Sequence, residues 1–308
     1  MITARTEPWL ALSRTQADLV SRRQLHALGV DRHRVRAQLA ARRWCERSSM
    51  VLSTTTGVLT REQTMWLGVL HAGPRALVGD LSAAEQHGLE RWHRDDVTVV
   101  VPQDLELDDD VPGVVFRRTR RPLAGMQAPV PLPTMAIEPA VLHFAAYQRS
   151  TRTAQGLLAA VVQQGLTDAD ALTEWVRRMK PLRWAPLLRT CLADIGGGAG
   201  SLAEIDLATM CREQRLAAPR RQVARLDSAG RRRFTDAEWL LRDGRTLVLE
   251  VDGAFHSRVE HWEDDIARSR GLAAADRLVV RCTARELRED PWRVAADLRR
   301  LGVPAACP

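Results

Sequence analysis

The segment Thr246-Leu247-Val248-Leu249-Glu250-Val251-Asp252-Gly253-Ala254-Phe255-His256 constrains this chain more than any other. Three apolar residues in a row, with Asp243-Gly244 before them and Gly253 after, read as a buried strand. Such a run normally ends in something apolar, yet this one ends in two acids. Side chains alternate across a strand, so Glu250 and Asp252 share one face. Burying carboxylates there is costly unless a cation or hydrogen bonds compensate. Upstream, Arg231-Arg232-Arg233-Phe234-Thr235-Asp236-Ala237-Glu238-Trp239 reads as a neighbouring strand and brings a third carboxylate, Asp236. Carboxylates converging at strand ends are a usual way to hold a hard divalent cation such as magnesium. A cation held so can activate water and neutralise phosphate charge. The alternative is a surface strand whose acids pair with the nearby arginines.

At 308 residues the chain has room for two domains, or for one with a large appendage. No stretch reaches the apolar length of a membrane span, and Met1-Ile2-Thr3-Ala4-Arg5-Thr6-Glu7-Pro8 does not read as a secretory signal. Cys45, Cys191, Cys211, Cys282 and Cys307 are scattered, with no C-x-x-C pair. That argues against a zinc site or a disulfide frame and fits a reducing cytoplasm, the expected location. The net charge of +7 comes almost entirely from arginine, whose planar fork matches phosphate. A GC-rich genome produces the same excess without functional demand, so local clustering is the better guide.

Residues 1–120 read as an α+β region with a helix-turn-helix at its start. Ser21 begins a helix to Leu28, Gly29 closes it, and Asp31 caps a second helix from Arg32 to about Ala41. Two short helices across a tight turn are the helix-turn-helix pattern, and Trp44 with Val51-Leu52 suggests the strand pair of a wing. The second helix carries Arg32, Arg34 and Arg36, the charge that docking in a DNA major groove requires, although an amphipathic helix facing solvent would look similar. Helices are then expected at 60–71 and 82–88, the latter on a serine cap, with strands at 97–101 and 114–116 around an acidic loop. Residues 121–199 read as a proline-rich linker followed by a helical connector. From 200 to 308 the order is helix, three strands, a helix at 260–274, a strand and further helices. This is an α/β domain, a mixed sheet flanked by helices.

Six elements of that last region appear in a particular order. Glu204 lies on the first helix, Asp236 on a strand after basic residues, and Glu250-Val251-Asp252-Gly253 with His256 at a strand end. Trp262, Asp265 and Arg268 are spaced W-x-x-D-x-x-R on the next helix, and Val279-Val280-Arg281 forms the following strand. Together they resemble the PD-(D/E)XK nuclease superfamily, and within it the small endonuclease domains related to very-short-patch-repair endonuclease. The likeness covers about residues 200–302. It implies a restriction endonuclease-like fold, with Asp236 and Glu250 as the principal ligands of Mg2+ (or Mn2+). The Val251 carbonyl would be a third ligand, and Glu204 would complete the shell directly or through water. The implied reaction is in-line attack of water on a phosphodiester.

The superfamily's lysine is absent, and Asp252 stands in its place, which leaves the general base unassigned. His256 is the candidate, since an imidazole can take a proton near neutral pH; a satisfied core or surface histidine is the other reading. Asp252 can instead cap the turn at Gly253. Glu204 closes the capping box Ser201-Leu202-Ala203-Glu204, which would account for it without catalysis. Asp265 and Arg268 lie three apart and can simply pair, or Arg268 can face the acids or a phosphate. Arg220, Arg221, Arg225, Arg231, Arg232 and Arg233, against Asp227 alone, precede the acidic strand, where phosphate contacts would position a duplex.

The N-terminal region has Leu19-Val20-Ser21-Arg22-Arg23-Gln24-Leu25, Gly29-Val30-Asp31, Arg42-Arg43-Trp44 and Ala76-Leu77-Val78-Gly79-Asp80-Leu81-Ser82-Ala83-Ala84. These stretches resemble the winged-helix region of the abortive-infection antitoxins of type IV toxin–antitoxin systems. That likeness implies binding to DNA or to a protein partner. The joint expectation is a magnesium-dependent DNA endonuclease recruited by a winged helix-turn-helix, in phage defence or DNA repair. It leaves room for a homodimer and gives the membrane no role. The competing expectation is a DNA-binding regulator or antitoxin whose nuclease-like domain is inactive; a nuclease acting on RNA is a third.

Overall fold

A computed structural model of the chain describes residues 7–108, 110–197, 201–227, 230–252, 274 and 276–306. The chain divides into two units: 1–149 with 164–167 and 171–185, and 150–163 with 168–170 and 186–308. The first unit therefore runs well past residue 120, and the expected connector is shared between the two.

The first unit opens with α1 (Pro8–Thr15), β1 (Leu19–Ser21), α2 (Arg22–Ala27), α3 (Arg32–Ala40), β2 (Cys45–Glu46) and β3 (Val51–Ser53). Capping fixes the helix starts. The Ser21 hydroxyl accepts from the Gln24 amide while the Gln24 side chain accepts from the Ser21 amide, and Asp31 accepts from the Arg34 amide at 2.7 Å. Gly29, at φ +77°, makes the turn between α2 and α3, a backbone state that suits a residue without Cβ. The three strands form an antiparallel sheet in the order β1-β3-β2. Val20, Leu25, Val30, Val35, Trp44 and Leu52 fill the core beneath. The two-helix turn and hairpin thus stand where the sequence predicts them.

Next come α4 (Arg61–Ala72), β4 (Leu77–Val78), α5 (Asp80–Gln86), β5 (Val97–Pro102) and β6 (Val114–Thr119). β4 pairs antiparallel and β6 parallel with the central β5. Helix α5 begins at Asp80, not on a cap at Ser82. The Ser82 hydroxyl instead accepts from the Thr98 amide at 3.0 Å and fastens the helix to β5. The proline-rich stretch is not a free linker. Leu123, Met126, Ala128 and Leu132 are buried, the Val78 amide donates to the Pro133 carbonyl, and the Met135 amide donates to the Val78 carbonyl. Proline lacks a donor but still accepts, so it can border a strand in this way. Helix α6 (Ile137–Tyr147) packs on α5. Helices α7 (Thr151–Gln163), α8 (Ala169–Arg178) and α9 (Ala185–Gly196) follow.

The second unit contains α10 (Leu202–Glu213), β7 (Arg220–Leu226), β8 (Arg232–Leu240), β9 (Thr246–Asp252), β10 (Arg277–Thr283), α11 (Ala284–Glu289) and α12 (Pro291–Arg300). The strands lie in the order β10-β9-β8-β7; β7–β8 and β8–β9 are antiparallel, and β9–β10 is parallel. Ala237, Trp239, Leu247 and Leu249 point to one face. There they pack with Leu207 and Met210 of α10, Leu287 of α11 and Leu298 of α12. The helix expected over 260–274 lies outside the described residues, apart from Ala274, which bridges to Arg277. Among the described residues the chain is mixed α/β, with three small sheets flanked by helices. Among those residues no helix is long and apolar enough to cross a membrane.

Candidate functional site

Strand pairing fixes where the acids stand. On β8 and β9, Glu238 lies opposite Val248 and Ala237 opposite Leu249, and the pairing ends there, one residue short of Asp236 and Glu250. On the other side of β9, Glu250 lies opposite Arg281. On β7, Arg221 pairs with Ala237 and Val223 with Thr235, which puts Gln222 beside Asp236. The ladder opens at that point, where Gln222 takes φ +48°. Asp236 and Glu250 thus stand where the β8–β9 pairing ends, with Arg281 opposite Glu250 and Gln222 where the β7–β8 pairing breaks, a row of polar positions along the sheet.

Further contacts fix the row. The Val251 amide donates to Asp236 Oδ2 at 2.8 Å, so the carboxylate receives a backbone bond where the strand pairing ends. Glu250 is buried. Glu204, also buried, accepts from the Ser201 hydroxyl at 3.2 Å and from the Gln222 side-chain amide at 3.4 Å. It belongs to the helix start, as the capping expectation had it, and it is also joined to Gln222 of β7. Asp252 ends β9 opposite Thr283. His256, Trp262, Asp265 and Arg268 lie outside the described residues.

Asp236 and Glu250 offer hard oxygen donors on neighbouring strands, a donor type that suits a magnesium or manganese ion. Among the described residues, no three His, Cys, Asp or Glu side chains come together as a ligand set.

Glu238 was not among the residues expected to matter, yet it stands two residues after Asp236 on β8. Its carboxylate is 2% exposed and receives both arms of Arg225, at 3.0 and 2.7 Å, and the Thr235 hydroxyl at 3.0 Å. Burial pushes the Glu238 pKa up, but the hydrogen bonds from Arg225 and Thr235 outweigh it and hold the group below the ordinary glutamate range. Glu238 braces the strands beside the acidic row.

The basic cluster is less available than its sequence suggests. Arg225 is committed to Glu238, and Arg231 and Arg233 both pair with the buried Asp227, at 3.3 and 3.2 Å. Arg221 donates to the Asp194 carbonyl. Arg220 and Arg232 are exposed, the latter over the Phe234 ring at 5.2 Å. In α3, Arg34 bonds Glu7 at 2.6 Å and lies 5.9 Å from the Trp9 ring, whereas Arg32 and Arg36 are exposed.

No family model and no curated protein matches the chain. Among solved structures, the RV2827C protein from Mycobacterium tuberculosis is similar at a TM-score of 0.41 and 17% identity, over 64% of this chain and 77% of that one. A likeness at that level carries no argument about fold or function.

Proposed function

We propose that the second unit is a magnesium-dependent phosphodiester hydrolase acting on DNA, brought to its substrate by the basic helix α3 of the first unit. The observation that carries this reading is the bond from the Val251 amide to Asp236 Oδ2, which ties Asp236 to the strand end that bears Glu250. Magnesium or manganese held by these acids would polarise the scissile phosphate and make a water nucleophilic near neutral pH. The protein's own groups do the remaining work. The Val251 amide orients Asp236, Arg281 carries positive charge along the same row for a phosphate oxygen, and Glu204 acts on the row through Gln222. His256 would accept the proton of the attacking water. Arg32 and Arg36 would contact backbone phosphates.

The test is nicking of supercoiled plasmid with magnesium, comparing the wild type with Asp236→Asn and Glu250→Gln. Both variants should lose activity while melting close to the wild type. Full activity in both would sink the reading.

One observation favours a second reading, a DNA-binding regulator with an inert nuclease-like unit: Asp252 stands where the resembled superfamily has lysine. Calorimetry with manganese separates the two. The hydrolase should bind the ion in a manner that Glu250→Gln removes, whereas an inert scaffold should give no site-dependent heat.

A further inference from the structure

The first unit carries two adjoining cavities at the carboxyl ends of its parallel strands, where Pro102 of β5 lies opposite Thr119 of β6. One, of about 590 Å3, is lined by Arg118, Arg120 and Arg121 at and after the end of β6, by Arg178 at the end of α8 and by Lys180 after it. Among the described residues no carboxylate lines it. The other, of about 720 Å3, shares Thr119, Arg120 and Arg121 with the first and is walled by Leu77, Pro102 and Leu123. Its acid, Asp104, is already paired with Arg75 at 3.0 Å.

The basic cavity is built, not incidental. Arg121 donates to the Met179 and Pro181 carbonyls and so ties the end of β6 to the segment after α8. Arg118 donates to the Leu105 carbonyl. The Arg178 guanidinium lies 3.9 Å from the centre of the Trp175 ring. Tyr147 stands at the rim, 49% exposed, with its ring against His143 and beneath Arg117. Arg120 and Lys180 are exposed. Arg120, Arg178 and Lys180 bring three positive charges to one hollow, which favours an anion there.

We propose that the paired cavities bind a nucleoside phosphate, with the phosphates among Arg120, Arg178 and Lys180 and the base against Leu77, Pro102 and Leu123. Guanidinium and ammonium groups are suited to phosphate oxygens, and the volumes fall in the range of small-ligand sites. The ends of parallel strands are also where α/β sheets take their ligands. A free nucleotide and the 5′ end of a nucleic-acid strand present the same chemistry.

The experiment is calorimetry on the full chain in EDTA, which keeps any magnesium-dependent cleavage silent. The probes are ATP, inorganic tripolyphosphate, and a single-stranded hexanucleotide with and without a 5′ phosphate. Either ATP or the phosphorylated hexamer should bind more tightly than tripolyphosphate. A preference for ATP assigns the site to a free nucleotide; a preference for the phosphorylated over the unphosphorylated hexamer assigns it to a strand end. Arg120→Ser with Lys180→Ser should weaken the preferred probe about tenfold or more. Arg120→Lys with Lys180→Arg should retain it, and Glu250→Gln should bind as the wild type does, which keeps the result separate from the hydrolase reading. No binding of any probe at about 1 mM, equal affinity for tripolyphosphate and the nucleoside phosphates, or undiminished binding by the serine variant would each overturn the proposal.

Discussion

The backbone amide of Val251 donates to Asp236 Oδ2 at 2.8 Å, which makes a proposed catalytic acid also the acceptor that closes a strand end. Removing the carboxylate therefore has two separable effects. Asp236→Ala should abolish nicking and also cost about 1–3 kcal/mol, because a backbone donor loses its partner. Asp236→Asn keeps an acceptor oxygen and should be equally inactive but nearly as stable as the wild type. Thermal melting beside plasmid nicking checks both, and equal stability of the two variants would argue against the bond.

Glu238 and Arg225 form a brace that should be costly to break from one side. Arg225→Ala leaves a buried carboxylate without its main partner, an expected loss of about 3 kcal/mol. Pairing it with Glu238→Gln should recover part of that loss. Denaturant unfolding of the single and double variants tests the coupling, and additive losses would contradict it.

The same brace should respond to acid. The Glu238 pKa is lowered in the folded protein, so its contribution is complete above the unfolded value of about 4.3. The contribution is lost as pH falls through the folded value. The stability difference between wild type and Glu238→Gln should therefore hold at neutral pH and shrink on acidification below about pH 4. A constant difference across that range, measured by melting at each pH, would contradict the assignment.

Asp80 and His143 make a second buried pair, 2.6 Å apart, with Arg117 3.1 Å from the other carboxylate oxygen. Asp80 also holds φ +51°, a strained state for a residue with Cβ. His143→Ala should destabilise the first unit by about 2–3 kcal/mol, since it removes a hydrogen bond from a buried acid. Unfolding followed by a probe in that unit would show it, and an unchanged midpoint would refute it.

Burial pushes the Cys191 thiol up to about 12 and the Cys211 thiol up to about 11, so neither forms much thiolate at ordinary pH. Cys45, half-buried on the short strand β2, should be alkylated well before them in the folded protein. Site-resolved mass spectrometry after brief iodoacetamide treatment reads the order; early modification of Cys191 or Cys211 would contradict the packing.

Local chemistry was legible where the deciding groups were close in the chain. The caps at Ser21, Asp31 and Ser201 all form in the structure, because each needs only a side chain and an amide three residues on. The stretch 121–133 was misread because its prolines signal a break. Only the distant Val78 reveals that the Pro133 carbonyl is used in pairing. The helix α5 boundary moved for a similar reason: Ser82 serves Thr98, sixteen residues away, and not its own helix. The basic cluster before β8 was overcounted, since one buried Asp227 takes two of its arginines.

Alone, the order of residues determined that Glu250 and Asp252 share a strand face and that Asp236 sits on a neighbouring strand. Those facts follow from the two-residue period of an extended chain. Only the tertiary structure decided that the Val251 amide bonds Asp236 and that Glu238 is occupied by Arg225. It also decided that Glu250 lies opposite Arg281. Register is a relation between strands, set by how the apolar face of the sheet packs on its helices, and a slip of one residue would have turned every acid into the core.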